Sequence, residues 1–168
     1  YGHKFTGAMK VLETVLRYEY LWTKIRIQGG AYGASAVFDR NGSMYFASYR
    51  DPKLAESLEA YRGLPEWLEN LDLPERELTK YIIGTISAAD VPLTNSMRLS
   101  QTALAHIKGI PQEMRQQTRD EILNLVNDDL RKLGQVVRDT LSDNYLCVVG
   151  GSGSIEANKE LFKSVKHI

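Results

Sequence analysis

Asn41-Gly42 sits between two short runs of alternating polarity, residues 34–38 and 45–49. This is the strongest local hairpin signal a sequence offers, because both central residues of a type I′ turn need a positive φ, which Asn and Gly tolerate. A two-residue turn at that point pairs Phe38 with Tyr45, Ala36 with Ala47 and Ala34 with Tyr49. One face is then wholly apolar or aromatic. The other is mixed, with Ser35 opposite Ser48 and Val37 opposite Phe46.

The residues around this hairpin read as helices. Ala8, Val11, Leu12, Val15 and Leu16 follow the i, i+3, i+4, i+7, i+8 pattern of an amphipathic helix that runs toward Tyr20, with Leu21 and Trp22 closing its apolar face. After the hairpin, Leu54, Leu58 and Tyr61 share a face, and Gly63 and Pro65 break the helical run. Pro74 suits the first turn of a helix carrying Leu78, Tyr81, Ile82 and Ile86 inward. Thr94 is placed to cap a helix toward Ile107, a further helix spans about 112–125, and Asn127 is a candidate cap for one carrying Leu130, Leu133, Val137 and Leu141. Residues 145–149, short and apolar, read as a buried strand, and a last helix runs from about 155 to 163. Strands followed by a block of helices argue an α+β domain rather than alternating α/β. At 19.0 kDa the 168 residues make a single domain, expected to bury about 70% of its unfolded surface.

Charge excludes some partners. Lys and Arg number 21, as do Asp and Glu, for a net charge of +0, so the basic surplus expected of a nucleic-acid or anionic-membrane binder is absent. No apolar run approaches the length of a membrane helix. The single cysteine, Cys147, allows no internal disulfide and reads as a small core residue. Cytosol, an organelle matrix and periplasm are all compatible with this.

The chemistry-bearing stretch is RIQGGAYG at 26–33. Arg26 offers five fixed donors and Tyr32 a hydroxyl, so both can bind a carbonyl oxygen or an oxyanion. On an unbroken strand, six residues would hold them about 20 Å apart. They act together only if the chain bends between them, and Gly29-Gly30 is the place for that bend. The plainer alternative is a strand with a surface arginine, a half-buried tyrosine and a bulge.

Other candidates are weaker. His3, His106 and His167 stand in neither HExxH nor HxxEH, so no metal ligands are assigned in this chain. The loop GGSGS at 150–154 lies in phosphate-binding context, yet it lacks the Lys-Ser/Thr of a P-loop, and Ser154 as a helix cap accounts for it better. Ser48 and Ser100 have no hydrolase motif around them.

Four segments carry a family resemblance: LWTKIRIQGGAYGASAVFDRNGSMYFASYRDP at 21–52, LTKYIIGTISAADVP at 78–92, GIPQEMRQQTRDEIL at 109–123 and VVGGSGSIEANKELF at 148–162. In order, they resemble the C-terminal part of presequence protease-like enzymes of the pitrilysin and insulin-degrading family of zinc peptidases. The resemblance implies an α+β fold with a mainly antiparallel sheet and helices packed on one face. It also implies that residues 1–168 form the C-terminal domain of a two-half clamshell closing on unstructured peptides. The zinc would be bound by the other, N-terminal half. Arg26 and Tyr32 would hold the substrate backbone and help stabilise the tetrahedral oxyanion, with Gly29 and Gly30 beside them at the substrate. Such a piece alone is expected to be inactive and to self-associate through faces that the other half covers. The alternative within the same fold is a non-catalytic peptide-binding or scaffold member.

Overall fold

The computed structural model describes residues 3–167. At the centre is α1 (Gly7–Val15), whose Met9, Val11, Leu12 and Val15 are buried. It packs against α4 (Glu75–Ala89), α6 (Gln112–Leu123), α7 (Asn127–Ser142) and the hairpin. Its N-terminus is fixed by a carboxylate: the Gly7 amide donates to Glu121 Oε2 at 2.6 Å, a favourable place for negative charge.

The helix does not stop at Tyr20. It continues as a π-helix over Leu16–Gln28, much longer than the single-turn bulges in which this geometry usually occurs. The buried positions show the change of period: Leu16, Tyr20, Leu21 and Ile25 recur every four to five residues, as i→i+5 bonding requires. Arg26 is therefore helical, and the strand expected there is absent.

The hairpin forms, with β1 (Gly33–Phe38) antiparallel to β2 (Met44–Tyr49), but its register is shifted by one from the expected one. Ala36 pairs with Phe46, Val37 with Tyr45 and Phe38 with Met44. The cause is a three-residue turn. Gly42 donates to the Asp39 carbonyl (3.0 Å), Asp39 donates to the Ser43 carbonyl (2.9 Å), and Gly42 takes φ 91°. This is a type I turn closed by a glycine bulge. Side chains select it, since Asp39 Oδ1 accepts the Arg40 amide (2.7 Å) and Asn41 Oδ1 accepts the Ser43 amide (2.8 Å). A one-residue slip turns β2 over. Phe46 and Met44 join Ala36 and Phe38 against the core, while Tyr45 and Tyr49 face outward.

These are the only strands among the described residues, so the sheet has two strands and the expected mainly antiparallel sheet is not found. The fold is α+β with helix dominating. α2 (Leu54–Arg62) and α3 (Leu64–Glu69) are divided at Gly63 as predicted, with Pro65 in the first turn of α3. Thr94 caps α5 (Asn95–Ile107) by accepting the Met97 amide at 3.3 Å. Asn127 is not a cap. Its amide instead bonds the Leu73 backbone in both directions, accepting at 3.2 Å and donating at 2.8 Å, and so ties α7 to the entrance of α4.

The C-terminal expectations fail in an instructive way. Residues 145–149 form no strand and are not buried; Tyr145 is 89% and Val149 81% exposed, and Cys147 is exposed. Ser154 is not a cap either, because it lies inside the short α8 (Ser152–Glu156), whose N-cap is Gly151. The helix expected to reach Lys163 ends there, and only a 3₁₀ turn at Lys159–Leu161 follows. α5 buries no residue. The accessible surface, 11219 Å², exceeds the roughly 8,400 Å² typical of a compact 19.0 kDa chain, and α5 and the tail are largely exposed.

Candidate functional site

The site is built where the π-helix ends and β1 begins. Gly29 still has right-handed helical dihedrals, and Gly30 takes φ 84°. The Gly29 amide donates to Lys24 O (3.1 Å), Gly30 to Arg26 O (2.9 Å) and Ala31 to Ile25 O (3.1 Å). This is a Schellman-like closure, widened by one residue to match the π-helical bonding before it. The chain reverses here, and Tyr32 follows with its amide on the Tyr49 carbonyl at 3.0 Å. The bend foreseen at Gly29-Gly30 thus exists, but it joins a helix to a strand rather than two halves of one strand.

The reversal is tightly held. A Cβ on Gly29 would stand 2.4 Å from the Ile25 carbonyl oxygen, and one on Gly30 would touch Pro52 at 3.4 Å. Lys53 Nζ reaches the Gln28 carbonyl at 3.4 Å, a cation at a helix C-terminus. Gly29→Ala is therefore expected to lower stability by about 1–3 kcal/mol, because main chain rather than a pliant side chain must give way. A thermal melt of the variant checks this, and an unchanged midpoint contradicts the packing described.

Arg26 and Tyr32 lie on either side of the reversal, each with its own aromatic company. The Arg26 guanidinium lies 4.0 Å over the Trp22 ring, which is one helical turn back. Tyr32, 65% exposed, meets Tyr49 edge to face at 5.9 Å. Arg50 stands 5.9 Å from the Tyr32 ring and 5.6 Å from that of Tyr49, and it holds φ 49° to do so. Among the described residues, neither the Tyr32 hydroxyl nor the Arg26 guanidinium makes a hydrogen bond or ion pair, so their donors face outward unspent. Among the described residues, no hydrogen bond, ion pair or cation–ring contact joins the two side chains to each other. Trp22, expected to close the apolar face of the first helix, is instead 42% exposed, and neither it nor Tyr49 or Arg50 was singled out as a site residue: the first depends on helix winding, the others on where the hairpin bulges.

Beneath the site, α2 presses Tyr61 against Phe46 at 5.5 Å. Burial pushes the Tyr61 hydroxyl up to about 12, with the neighbouring Ser48 opposing this and the Asp51 charge adding to it; the hydroxyl itself is buried without a hydrogen-bond partner. Glu13 anchors the opposite strand, its carboxylate accepting the Phe38 amide at 2.7 Å. None of the three histidines is near this joint: His3 pairs with Asp139 at 2.6 Å, His106 ends α5 and His167 lies in the tail. Among the described residues, no group of three or more His, Cys, Asp and Glu side chains stands where it could hold a metal ion.

The sequence model of the PreP C-terminal domain matches residues 1–151. The chain belongs to the presequence protease C-terminal domain family. Over all 168 residues it is 37% identical to protein HypA of Clostridium perfringens, covering 17% of that protein. It is 33% identical over 152 residues to presequence protease 1, chloroplastic/mitochondrial, of Arabidopsis thaliana, with 90% of this chain and 14% of the relative covered. It is 26% identical over 151 residues to the mitochondrial presequence protease of Schizosaccharomyces pombe, with 89% of this chain and 15% of the relative covered. The PreP C-terminal domain described here thus spans about a sixth of the length of the relatives it matches.

Proposed function

We propose that the protein to which this domain belongs is a zinc metalloendopeptidase that degrades unstructured oligopeptides. This domain is its non-zinc-binding C-terminal part, which helps enclose the substrate. Family membership supports the peptidase reading. One observation carries the residue roles: two exposed donors, Arg26 and Tyr32, flank one glycine reversal with no partner of their own. The zinc is held by residues outside this chain, and the chain's own groups act on the peptide. Arg26 anchors a backbone carbonyl next to the scissile bond. Tyr32 donates to the oxygen of the scissile carbonyl as charge builds there, which is where a fixed donor counts most. Trp22 beneath Arg26, and Tyr49 with Arg50 beside Tyr32, hold the two donors in place.

The roles separate kinetically. Arg26 grips a carbonyl equally in ground and transition states, so Arg26→Gln in the full peptidase should raise KM while leaving kcat near its original value. A hydrogen bond from a charged donor contributes about 1.5–3 kcal/mol, which corresponds to a KM change on the order of tenfold or more. Steady-state cleavage of a fluorogenic peptide measures both constants. An unaltered KM removes Arg26 from the substrate site.

A further inference from the structure

Arg50 is held in a backbone state that does not suit it. It follows β2 directly and takes φ 49°, in the left-handed region where Gly, Asn and Asp sit with ease and an arginine does not. Backbone preference does not select arginine here, so its use lies in where the residue sets the guanidinium. That group is exposed and stands 5.9 Å from the Tyr32 ring and 5.6 Å from the Tyr49 ring. Ring contacts occupy none of its five N–H donors. Among the described residues it makes no hydrogen bond and no ion pair. The adjacent carboxylate does not neutralise it. Asp51 is turned inward, with Oδ1 accepting the Lys53 amide at 3.0 Å and Oδ2 buried. Lys53 reaches the Gln28 carbonyl, and Arg26 lies over Trp22 across the reversal. Three cations thus surround this joint, none of them in an ion pair among the described residues. The chain as a whole is balanced, with 21 residues of each sign, and elsewhere Arg62, Arg119, Arg131 and Arg138 each hold a carboxylate. The uncompensated charge is local to the reversal.

We propose that Arg50 determines specificity: its guanidinium binds a carboxylate of the bound peptide close to the carbonyl that Tyr32 contacts. This rests on the peptidase reading above and adds a substrate class to it, peptides with a negative charge beside the scissile bond. The planar fork of an arginine matches a carboxylate with two parallel hydrogen bonds, and the two flanking rings hold the fork ready before the peptide arrives. The 5.9 Å between the guanidinium and the Tyr32 ring corresponds to about two residues of extended chain, so the charge sits within about two residues of the cleaved bond. An Asp or Glu side chain supplies such a carboxylate, and so does the C-terminus of a short peptide.

Paired peptides test this in the full-length protein. One set is blocked at both ends and carries Glu or Gln one or two residues to either side of the scissile bond. The other is neutral and ends two residues beyond that bond as a free acid or an amide. The expected result is a kcat/KM about fivefold to tenfold higher for the carboxylate member of at least one pair, and the set that shows it names the source of the charge. The preference should shrink as salt is raised, because screening weakens an exposed charge pair. It should fall to about one in Arg50→Asn, which keeps a residue at ease in the left-handed backbone, and Arg50→Glu should favour Lys over Gln. Each ratio is taken within one enzyme, so a general loss of rate through a disturbed Tyr32 cancels. A ratio near one in both sets, or a preference for carboxylate that survives in Arg50→Asn or Arg50→Glu, overturns the inference. Fluorescence anisotropy of the same labelled peptides reads the preference as binding, without chemistry. This arm reports on Arg50 even where Tyr32→Phe cleaves at the original rate, and equal affinity for both members of every pair also overturns the inference.

Discussion

On the proposed role, Tyr32→Phe in the full peptidase should lower turnover about 10²–10³-fold while the protein remains folded, because the substitution would delete a donor aimed at developing charge and little else. The structural half of this expectation rests on exposure. The ring is 65% exposed and its hydroxyl bonds nothing among the described residues, so phenylalanine leaves no buried group unpaired and keeps the edge contact with Tyr49. The kinetic half rests on timing. Loss of a hydroxyl that binds only the charged oxygen lowers kcat and kcat/KM together, unlike the KM effect expected of Arg26→Gln. Single-turnover cleavage of a peptide separates chemistry from product release. A Tyr32→Phe enzyme that cleaves at nearly the original rate leaves Tyr32 as an exposed surface aromatic and nothing more.

Phe38→Ala costs about 3–5 kcal/mol of stability, the range for deleting a buried aromatic ring. Phe38 is 1% exposed and packs edge to face on Phe46 at 6.2 Å. Its amide is held by Glu13 of α1, so the side chain and the main chain of one residue bind the hairpin to the central helix. The loss should reach the site. Tyr49 is carried by β2 and Tyr32 is bonded to it, so a hairpin loosened at Phe38 no longer holds either tyrosine against the helix end. Chemical denaturation gives the stability change, and residual peptide cleavage at low temperature shows the site effect. A loss below about 1 kcal/mol would mean the hairpin is held chiefly elsewhere.

The parts that were legible in the sequence share a cause: they are written in nearest-neighbour terms. α1 shows its period in five apolar residues, Gly63 and Pro65 interrupt a helix as their backbones require, and Asn41-Gly42 announces a hairpin. The parts that were not legible depend on bonds between groups whose spacing the sequence does not state. Whether the hairpin turns in two residues or three was decided by the Asp39 and Asn41 carboxyl and amide oxygens, and that choice turned β2 over. Residues 25–27, Ile-Arg-Ile, alternate as a strand would, yet they belong to a helix wound more widely than the α period used to search for it. Arg26 and Tyr32 were visible as chemistry because Arg and Tyr are rare company for paired glycines. The places of Trp22, Tyr49 and Arg50 beside them were not legible because folding alone brings them there.

Winding has a further consequence. The last stretch of the central rod holds more residues per revolution than an ordinary helix, so the compass bearing of its guanidinium depends on how tightly that rod is coiled. Drawing the coil in by a single revolution would swing Arg26 around the axis while the phenol across the bend, moored to its own ribbon, kept its heading. The bearing of one donor relative to the other is thus set by the winding of a single helix.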